Sequence, residues 1–175
     1  MRGLDRRSVL ALMLSLAATP LLRRVARAAA ATLPPATLQL LETSPYIYVS
    51  PLKKNGQESS CHGEVWFAWI DGSAVLITAR DRWKAKSVAK GLDRARIWVG
   101  DHGKWKQLVG RNDAFTKAPS FDARARVVKD PAVLDRLIAA YEKKYPAEIG
   151  SWRDRFKSGF ASGERVLISY EPISG

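Results

Sequence analysis

Apolar and polar residues alternate along several short stretches of this chain, and that period of two predicts β-strands. Residues 46–52 are rich in β-favouring residues, and residues 58–70 place Val65, Phe67 and Trp69 on one face of a second strand. An Asn-Gly pair and an Asp-Gly pair flank that second strand and are typical of hairpin turns. With a third strand at 73–78, the first half of the chain is expected to form three hairpin-linked strands.

A period near 3.6 residues marks the segments that are predicted to be helical. A short helix follows Asp81, its expected cap, and Gly91 lies near its end. Asp130 and Pro131 open a longer helix, because aspartate caps helices and proline fits the first helical position. An apolar stripe predicts a looser helix over 149–160. Further strands are predicted at 96–100, 104–109, 121–127 and 165–170, and a linker with a short helix at 32–41.

The order of these elements predicts a fold that is mainly β with a few helices. Strands joined by tight turns are antiparallel, and a small antiparallel sheet hides its edges when it closes on itself. We therefore expect one small antiparallel barrel over residues 32–175. Six tryptophans, five phenylalanines and five tyrosines can fill its core, while the single cysteine, Cys61, excludes an internal disulfide.

Residues 1–31 have the features of an export signal. Arg6 and Arg7 precede an apolar stretch at 9–22 that is too short to cross a membrane, and small residues at 26–30 fit an A-x-A cleavage pattern. The arrangement resembles a twin-arginine (Tat) signal, a route that carries folded proteins. A plain secretory signal or an uncleaved anchor is the alternative. We expect a periplasmic or extracellular protein with no stable membrane span after cleavage.

The chain of 175 residues carries a formal net charge of +12, and +7 remains without residues 1–31. Such a surplus attracts phosphates, nucleic acids and acidic lipids alike. No nucleic-acid-binding module is recognisable, so we expect no nucleic acid as a partner. Cys61 and His62 are adjacent, and a strand directs their side chains to opposite faces, so we expect neither a metal site nor a Cys–His pair.

The most informative segment is 77–87, where an apolar strand ends in Thr78 and runs into an arginine-rich turn. The Thr78 hydroxyl, the guanidinium groups of Arg80 and Arg82, and the Lys84 ammonium can all donate hydrogen bonds to a phosphate. Free N–H groups at the start of the predicted helix favour an anion as well. The alternative is a solvated basic surface, which is common at helix starts.

Together with the strands before it, this segment resembles the pyridoxamine 5′-phosphate oxidase-like split β-barrels. The resemblance covers about residues 38–129. It rests on the order of elements: an opening strand at 46–50, the Asn-Gly turn, a strand through 65–69, the Asp-Gly turn, and the strand 76–78 before the arginines. It implies a split barrel that binds FMN, or in some branches a deazaflavin coenzyme, between the subunits of a homodimer.

The resemblance also implies which residues bind the cofactor. Thr78 and Lys84 match phosphate-binding positions of the family, while Trp83 stands where an arginine is often found, a charge that Arg80 and Arg82 can supply. The strand 62–66 is the one expected beside the flavin ring. The implied cofactor-binding residues are His62, Trp66, Ile77, Thr78, Arg80, Arg82, Trp83 and Lys84.

The resulting hypothesis is an exported FMN-dependent oxidoreductase with a small-molecule substrate. No catalytic side chain is identifiable, which is compatible with a flavin that itself carries the electrons. A deazaflavin-dependent reductase, or a module that holds flavin or haem without turnover, is the alternative. A third possibility is a domain whose basic surface contacts acidic lipid. Turnover would separate the enzyme from the binding module.

Overall fold

The computed structural model describes residues 33–104 and 112–173. The predicted export signal at 1–31 and most of the predicted strand 104–109 lie outside the described residues. The described elements are α1 (Pro35–Thr43), β1 (Ile47–Pro51), β2 (Glu64–Val65), β3 (Ala68–Ile70), β4 (Ser73–Ala79), α2 (Trp83–Ala89), β5 (Arg94–Val99), a 3₁₀ turn (Ala114–Lys117), β6 (Ser120–Val128), α3 (Pro131–Lys144), α4 (Ile149–Ala161) and β7 (Arg165–Pro172).

The described strands form one antiparallel sheet in the order β2-β1-β5-β6-β7-β4-β3. The β3–β4 hairpin turns at Asp71 and Gly72, whose φ angles of 50° and 76° suit a two-residue turn. The two edge strands, β2 and β3, are separated along the chain by only Trp66 and Phe67. The sheet therefore curls until its edges meet, and it forms a barrel with a split between β2 and β3. The predicted fold class is confirmed.

The predicted strand over 58–70 is wrong as a continuous element. Residues 59–63 lie outside any strand, and β2 pairs with β1 whereas β3 pairs with β4. The chain must leave one neighbour before it joins the other, and the split is the result. The predicted alternation is right, because Val65, Phe67 and Trp69 all pack on the same apolar cluster.

Two apolar clusters lie on opposite faces of the curled sheet, as the alternation of strand side chains requires. The interior cluster is covered by α1 and α2, and its buried members include Leu41, Ile47, Val49, Phe67, Leu76, Ala85, Ile97 and Ile168. The outer cluster lies between the sheet and helices α3 and α4, and it includes Leu134, Leu137, Ile138, Tyr141, Tyr145, Phe156 and Leu167. The outer cluster thus fixes both long helices beside the split.

The helix starts show one confirmed and one wrong prediction. The Asp130 side chain accepts a 2.9 Å hydrogen bond from the Ala132 N–H, and Pro131 occupies the first turn of α3. At α2, Asp81 is not the cap: Arg82 occupies that position in an extended conformation, without a side-chain capping bond. The reason is spacing, since α2 begins one residue later than an Asp81 cap would require.

The far end of β6 departs from its predicted half-buried pattern. Phe121, Ala123 and Ala125 are buried as expected, but Val127 is 43% exposed. Val127 pairs with Ile168 near the end of the strand and lines an open groove beside α2. The strand thus extends beyond the part of the barrel that the helices cover.

Candidate functional site

A cleft of about 340 Å³ lies at the split in the barrel. It falls within the size range of small-ligand sites. The split contributes two of its walls through β2 and β4, and α3, α4 and β7 supply the rest. The lining residues are Val65, Trp66, Ile77, Thr78, Ala79, Arg82, Tyr141, Trp152, Phe156 and Arg165.

The position of the cleft follows from strand lengths. β3 pairs with β4 only from Ser73 to Val75, whereas β7 stays paired with β4 as far as Ala79. Beyond Val75, one edge of β4 therefore has no neighbouring strand among the described residues. This free edge, together with the side chains that project from α3 and α4, forms the wall of the cleft.

Two tyrosines of α3 hold the backbone at the split. The Tyr141 hydroxyl donates a 2.9 Å hydrogen bond to the Trp66 carbonyl. The Tyr145 hydroxyl accepts one from the Phe67 N–H at 3.2 Å and donates one to the Pro45 carbonyl at 2.6 Å. Burial raises the pKa of both tyrosines, so both hydroxyls keep their protons across the physiological range. These hydroxyls take the place of the backbone hydrogen bonds between strands that are missing at the split.

Trp66 is fixed in place by the same tyrosines. Its ring stacks on Tyr145 at 4.4 Å, with planes 8° apart, and meets Tyr141 edge-on at 5.8 Å. Such pairs stabilise an aromatic side chain beyond the area they bury. Trp66 therefore gives the cleft a rigid aromatic wall.

Lys144 lies at the end of α3 beside this wall. Its ammonium sits 3.8 Å from the centre of the Phe67 ring and 3.5 Å from the Phe67 carbonyl oxygen. Burial lowers the pKa of Lys144 to about 8, although the charge of Glu42 opposes the shift. Lys144 is thus a partly buried cation at the split, outside the cleft lining.

The polar side chains that line the cleft favour an anion. Thr78 is only 7% exposed, and its hydroxyl makes no hydrogen bond to the described residues. Arg82 reaches the cleft from the start of α2, and Arg165 reaches it from the start of β7. The described lining contains no aspartate or glutamate. Residues that carry two cations and an unpartnered buried hydroxyl therefore line a space with aromatic walls.

The cleft brings together four of the residues that the sequence predicts to bind a cofactor: Trp66, Ile77, Thr78 and Arg82. Arg80 lies elsewhere, because its Nε donates a 2.6 Å hydrogen bond to the Gly163 carbonyl and its side chain lines the groove beside α2. Helix α2 has only seven residues, so the anion-binding argument rests on these side chains and not on its N-terminus.

Trp83 and Lys84 turn towards the barrel and β2. The Trp83 ring packs against the interior cluster. The Lys84 ammonium lies 3.2 Å from the position that a β-carbon on Gly63 would occupy. Burial lowers the pKa of Lys84, while the nearby charge of Glu64 opposes that shift. Both residues flank β2, the strand that the resemblance places beside a flavin.

His62 lies in a separate cluster on the outer side of β1. Its Nδ1 is 2.6 Å from the hydroxyl of the fully buried Ser50, and its ring contacts Phe115 at 5.3 Å. Within residues 33–104 and 112–173, no group of three or more His, Cys, Asp or Glu side chains could hold a metal ion. Nor is any helix in those ranges long and apolar enough to span a membrane.

Six lining residues were not identified as site residues from the sequence: Val65, Ala79, Tyr141, Trp152, Phe156 and Arg165. The three aromatic residues follow the helical spacing of α3 and α4, which indicates packing rather than binding. Arg165 lies far along the chain from the arginine-rich turn. The β4–β7 ladder, which pairs Ala79 with Arg165, brings the two segments together.

No protein-family profile matches this sequence, and comparison with curated proteins finds no match either. Solved structures do match. HutZ, the haem storage protein of Vibrio cholerae, aligns with a TM-score of 0.52 at 14% identity, over 81% of this chain and 90% of HutZ.

Two further structures align over similar lengths. A FAD-binding protein of Mesorhizobium loti gives a TM-score of 0.50 at 15% identity, over 81% of this chain and 91% of its own. A pyridoxamine 5′-phosphate oxidase candidate of Listeria innocua gives 0.51 at 13% identity, over 79% and 92%. At such low identities the likeness is one of fold. The chain therefore has the fold of the pyridoxamine 5′-phosphate oxidase-like split barrels.

Proposed function

We propose that this chain binds a flavin nucleotide, FMN, in the cleft at the split and acts as an exported oxidoreductase on a small molecule. The observation that carries the proposal is the Thr78 hydroxyl, which is buried and has no partner among the described residues. Leaving such a group unsatisfied costs about 1–3 kcal/mol. A ligand atom that accepts its hydrogen bond would remove that cost.

The remaining walls suit the two parts of a flavin nucleotide. Trp66 offers an aromatic surface to a planar ring system, and Arg82 and Arg165 offer charge-assisted hydrogen bonds to a phosphate. When bound, a flavin supplies hydride or electron transfer, while the protein orients it and tunes its potential. The side chains of this chain would hold the ring, bind the phosphate and exclude water.

Flavin is favoured over haem by the chemistry of the lining. Haem iron takes axial ligands such as histidine, cysteine, methionine or tyrosine. The described lining offers only Tyr141 from that set, and its hydroxyl is committed to the Trp66 carbonyl. Haem storage by a protein of this fold makes haem the necessary comparison in any binding experiment.

Export and dimerisation complete the proposal. Export rests on the paired arginines, the short apolar stretch and the small residues within 1–31. A homodimer rests on the resemblance to split barrels that bind their cofactor between subunits. An exported enzyme that acquires FMN before it crosses the membrane has a reason to use a route for folded proteins.

Binding to the full chain tests the cofactor. FMN, a deazaflavin coenzyme and haem are titrated separately into exported protein, with quenching of ligand fluorescence or the shift of the haem band as the signal. We expect FMN to bind and Arg82→Ala to weaken it about threefold to tenfold, since charge-assisted hydrogen bonds are lost. Lys90→Ala, an exposed change at the C-cap of the same helix, is the matched control.

The outcomes separate the alternatives. Haem uptake without FMN uptake would replace the flavin proposal with a haem-binding module. Deazaflavin uptake alone would move the protein to the deazaflavin-dependent reductases. FMN uptake without any turnover of added electron donors would leave a binding module, and uptake of none of the three would refute a cofactor role for the cleft.

A further inference from the structure

The guanidinium of Arg165 rests on two aromatic rings of α4. Its central carbon lies 5.6 Å from the centre of the Trp152 ring and 5.3 Å from that of Phe156. These distances are within the range of cation–π attraction. A guanidinium held beside aromatic rings can still donate hydrogen bonds from its N–H groups. Arg165 is therefore positioned before any ligand arrives.

A glycine makes room for this arrangement. Gly159 lies in α4, and a β-carbon there would come within 2.8 Å of Cδ and 2.9 Å of Cγ of Arg165. Real side chains do not approach so closely, so the aliphatic stem of Arg165 depends on the absence of a side chain at 159. Glycine inside a helix is unfavourable by about 1 kcal/mol relative to alanine, which makes its presence in α4 informative.

Arg165 lacks the carboxylate partner that several other arginines of the sheet and helices have. Arg96 pairs with Asp122 at 2.9 Å, and Arg136 pairs with Asp71 at 2.8 Å. Among the described residues no acidic side chain forms an ion pair with Arg165, although it is partly buried. The guanidinium is therefore available to form charge-assisted hydrogen bonds with an anion from outside the described chain.

We propose that Arg165 is the preorganised anion-binding residue of the cleft and that it holds the phosphate of the bound nucleotide. This inference rests on the proposed flavin function and assigns its phosphate to a residue outside the arginine-rich turn. Arg82 is 72% exposed in its side chain and has only Asp81 at 4.0 Å, so it must be ordered on binding. Arg165 is already held, and preorganisation lowers the cost of binding.

Paired titrations with FMN and riboflavin test the assignment, because the two ligands differ only in the phosphate. We expect Arg165→Ala to weaken FMN about tenfold or more, the loss of a bidentate charged contact, while riboflavin changes by about twofold or less. Arg165→Lys keeps the charge without the fork and should fall between wild type and alanine. Arg155→Ala is the control, because Arg155 also lies 5.6 Å from the Trp152 ring but is exposed and outside the cleft lining.

Equal losses for FMN and riboflavin in Arg165→Ala would overturn the proposal, since the residue would then only support the aromatic wall. Unchanged FMN affinity would overturn it as well. Thermal unfolding of each variant shows that the fold is retained. If wild type binds neither flavin, the proposed function fails, and inorganic phosphate tests Arg165 by itself. Phosphate should change the tryptophan fluorescence of wild type, and Arg165→Ala should abolish that change. If the change persists in Arg165→Ala, or if wild type shows no change, the anion site is refuted.

Gly159→Ala provides a second measurement that leaves the identity of every lining residue unchanged. It displaces the stem of Arg165 and should reproduce the selective loss of FMN affinity, to about threefold or more. The alanine also favours the helix, so the variant is not expected to unfold. Selective loss of FMN in a protein of undiminished stability would support positioning by Gly159, whereas full FMN affinity would contradict it.

Discussion

Among the described residues, polar groups at the split have hydrogen-bond partners within the protein, whereas two polar groups in the neighbouring cleft do not. At the split, the hydroxyls of Tyr141 and Tyr145 bond to the backbone that crosses from β2 to β3. In the cleft beside it, the Thr78 hydroxyl and the Arg165 guanidinium have no polar protein partner among the described residues. Satisfied groups at the split stabilise the fold, whereas unsatisfied groups in the cleft are available to a ligand. The difference separates residues that hold the barrel together from residues that bind.

The largest effect on stability is expected from removing the hydrogen bonds of a tyrosine at the split. Tyr145→Phe removes the hydroxyl that serves both the Phe67 N–H and the Pro45 carbonyl, and it should lower the free energy of unfolding by about 2–3 kcal/mol. Urea denaturation measures the change. Tyr46→Phe is the control, because its hydroxyl makes no hydrogen bond to the described residues. Equal stability of the two variants would contradict a role for Tyr145 in closing the split.

Removal of the Thr78 hydroxyl in the cleft should have the opposite result, with FMN affinity affected and stability preserved. Thr78→Val keeps the shape of the side chain and removes a hydroxyl that has no protein partner, so stability should stay within about 0.5 kcal/mol or rise. FMN affinity should fall about threefold to tenfold. Thr37→Val, another buried threonine but outside the cleft, should leave FMN affinity unchanged. A clear loss of stability in Thr78→Val would mean that the hydroxyl serves the fold.

The cation at the split should make stability depend on pH. The pKa of Lys144 is lowered from 10.5 to about 8 by burial, so between those values the unfolded chain binds more protons than the folded one. The contribution of Lys144 to stability therefore rises with pH across this window, and below it the charge is a constant burden. Lys144→Gln should thus gain most over wild type near pH 7 and lose that advantage towards about pH 9.5.

Unfolding measured at several pH values checks this, with Lys143→Gln as the exposed neighbour. A difference between Lys144→Gln and wild type that does not vary with pH would show that the charge state of Lys144 is the same in the folded and unfolded chains.

The smallest loss of stability is expected for an ion pair that is hydrogen-bonded but exposed to solvent. Arg136 donates two hydrogen bonds to Asp71, at 3.0 and 2.8 Å, on the surface. Arg136→Ala should lower the free energy of unfolding by about 0.5–1 kcal/mol, and added salt should reduce the difference. A loss as large as that of Tyr145→Phe would show that pairing alone, and not pairing under burial, sets the stability of this fold.

Local patterns in the sequence were sufficient for much of the fold. The Asp-Gly turn, the alternation through Val65 and Trp69, and the Asp130 cap each depend on neighbours within a few residues, and the structure confirms them. The break between β2 and β3 could not be read in this way. It depends on which strands lie alongside, and the residues of 58–70 carry the same alternation whether they follow one neighbour or change between two.

The candidate site was only partly predictable for the same reason. Thr78 and Arg82 stand out because hydroxyl and basic residues follow one another closely along the chain. Arg165 and Trp152 join them only through the β4–β7 register and the packing of α4, which no local pattern contains. Asp81 has the residue type of a cap, but α2 begins two residues after it and Arg82 occupies the cap position.

The short chain segment between the two edge strands also limits how far the cleft can open. Val65 and Ala68 are three peptide units apart, so the ends of β2 and β3 cannot separate by more than about 11 Å however the sheet fluctuates. The barrel therefore cannot open by moving β2 away from β3. Any widening that lets a molecule in or out must come from the other walls, which α3, α4 and β7 supply. Rates of ligand exchange should then follow the mobility of those walls and not the separation of β2 from β3.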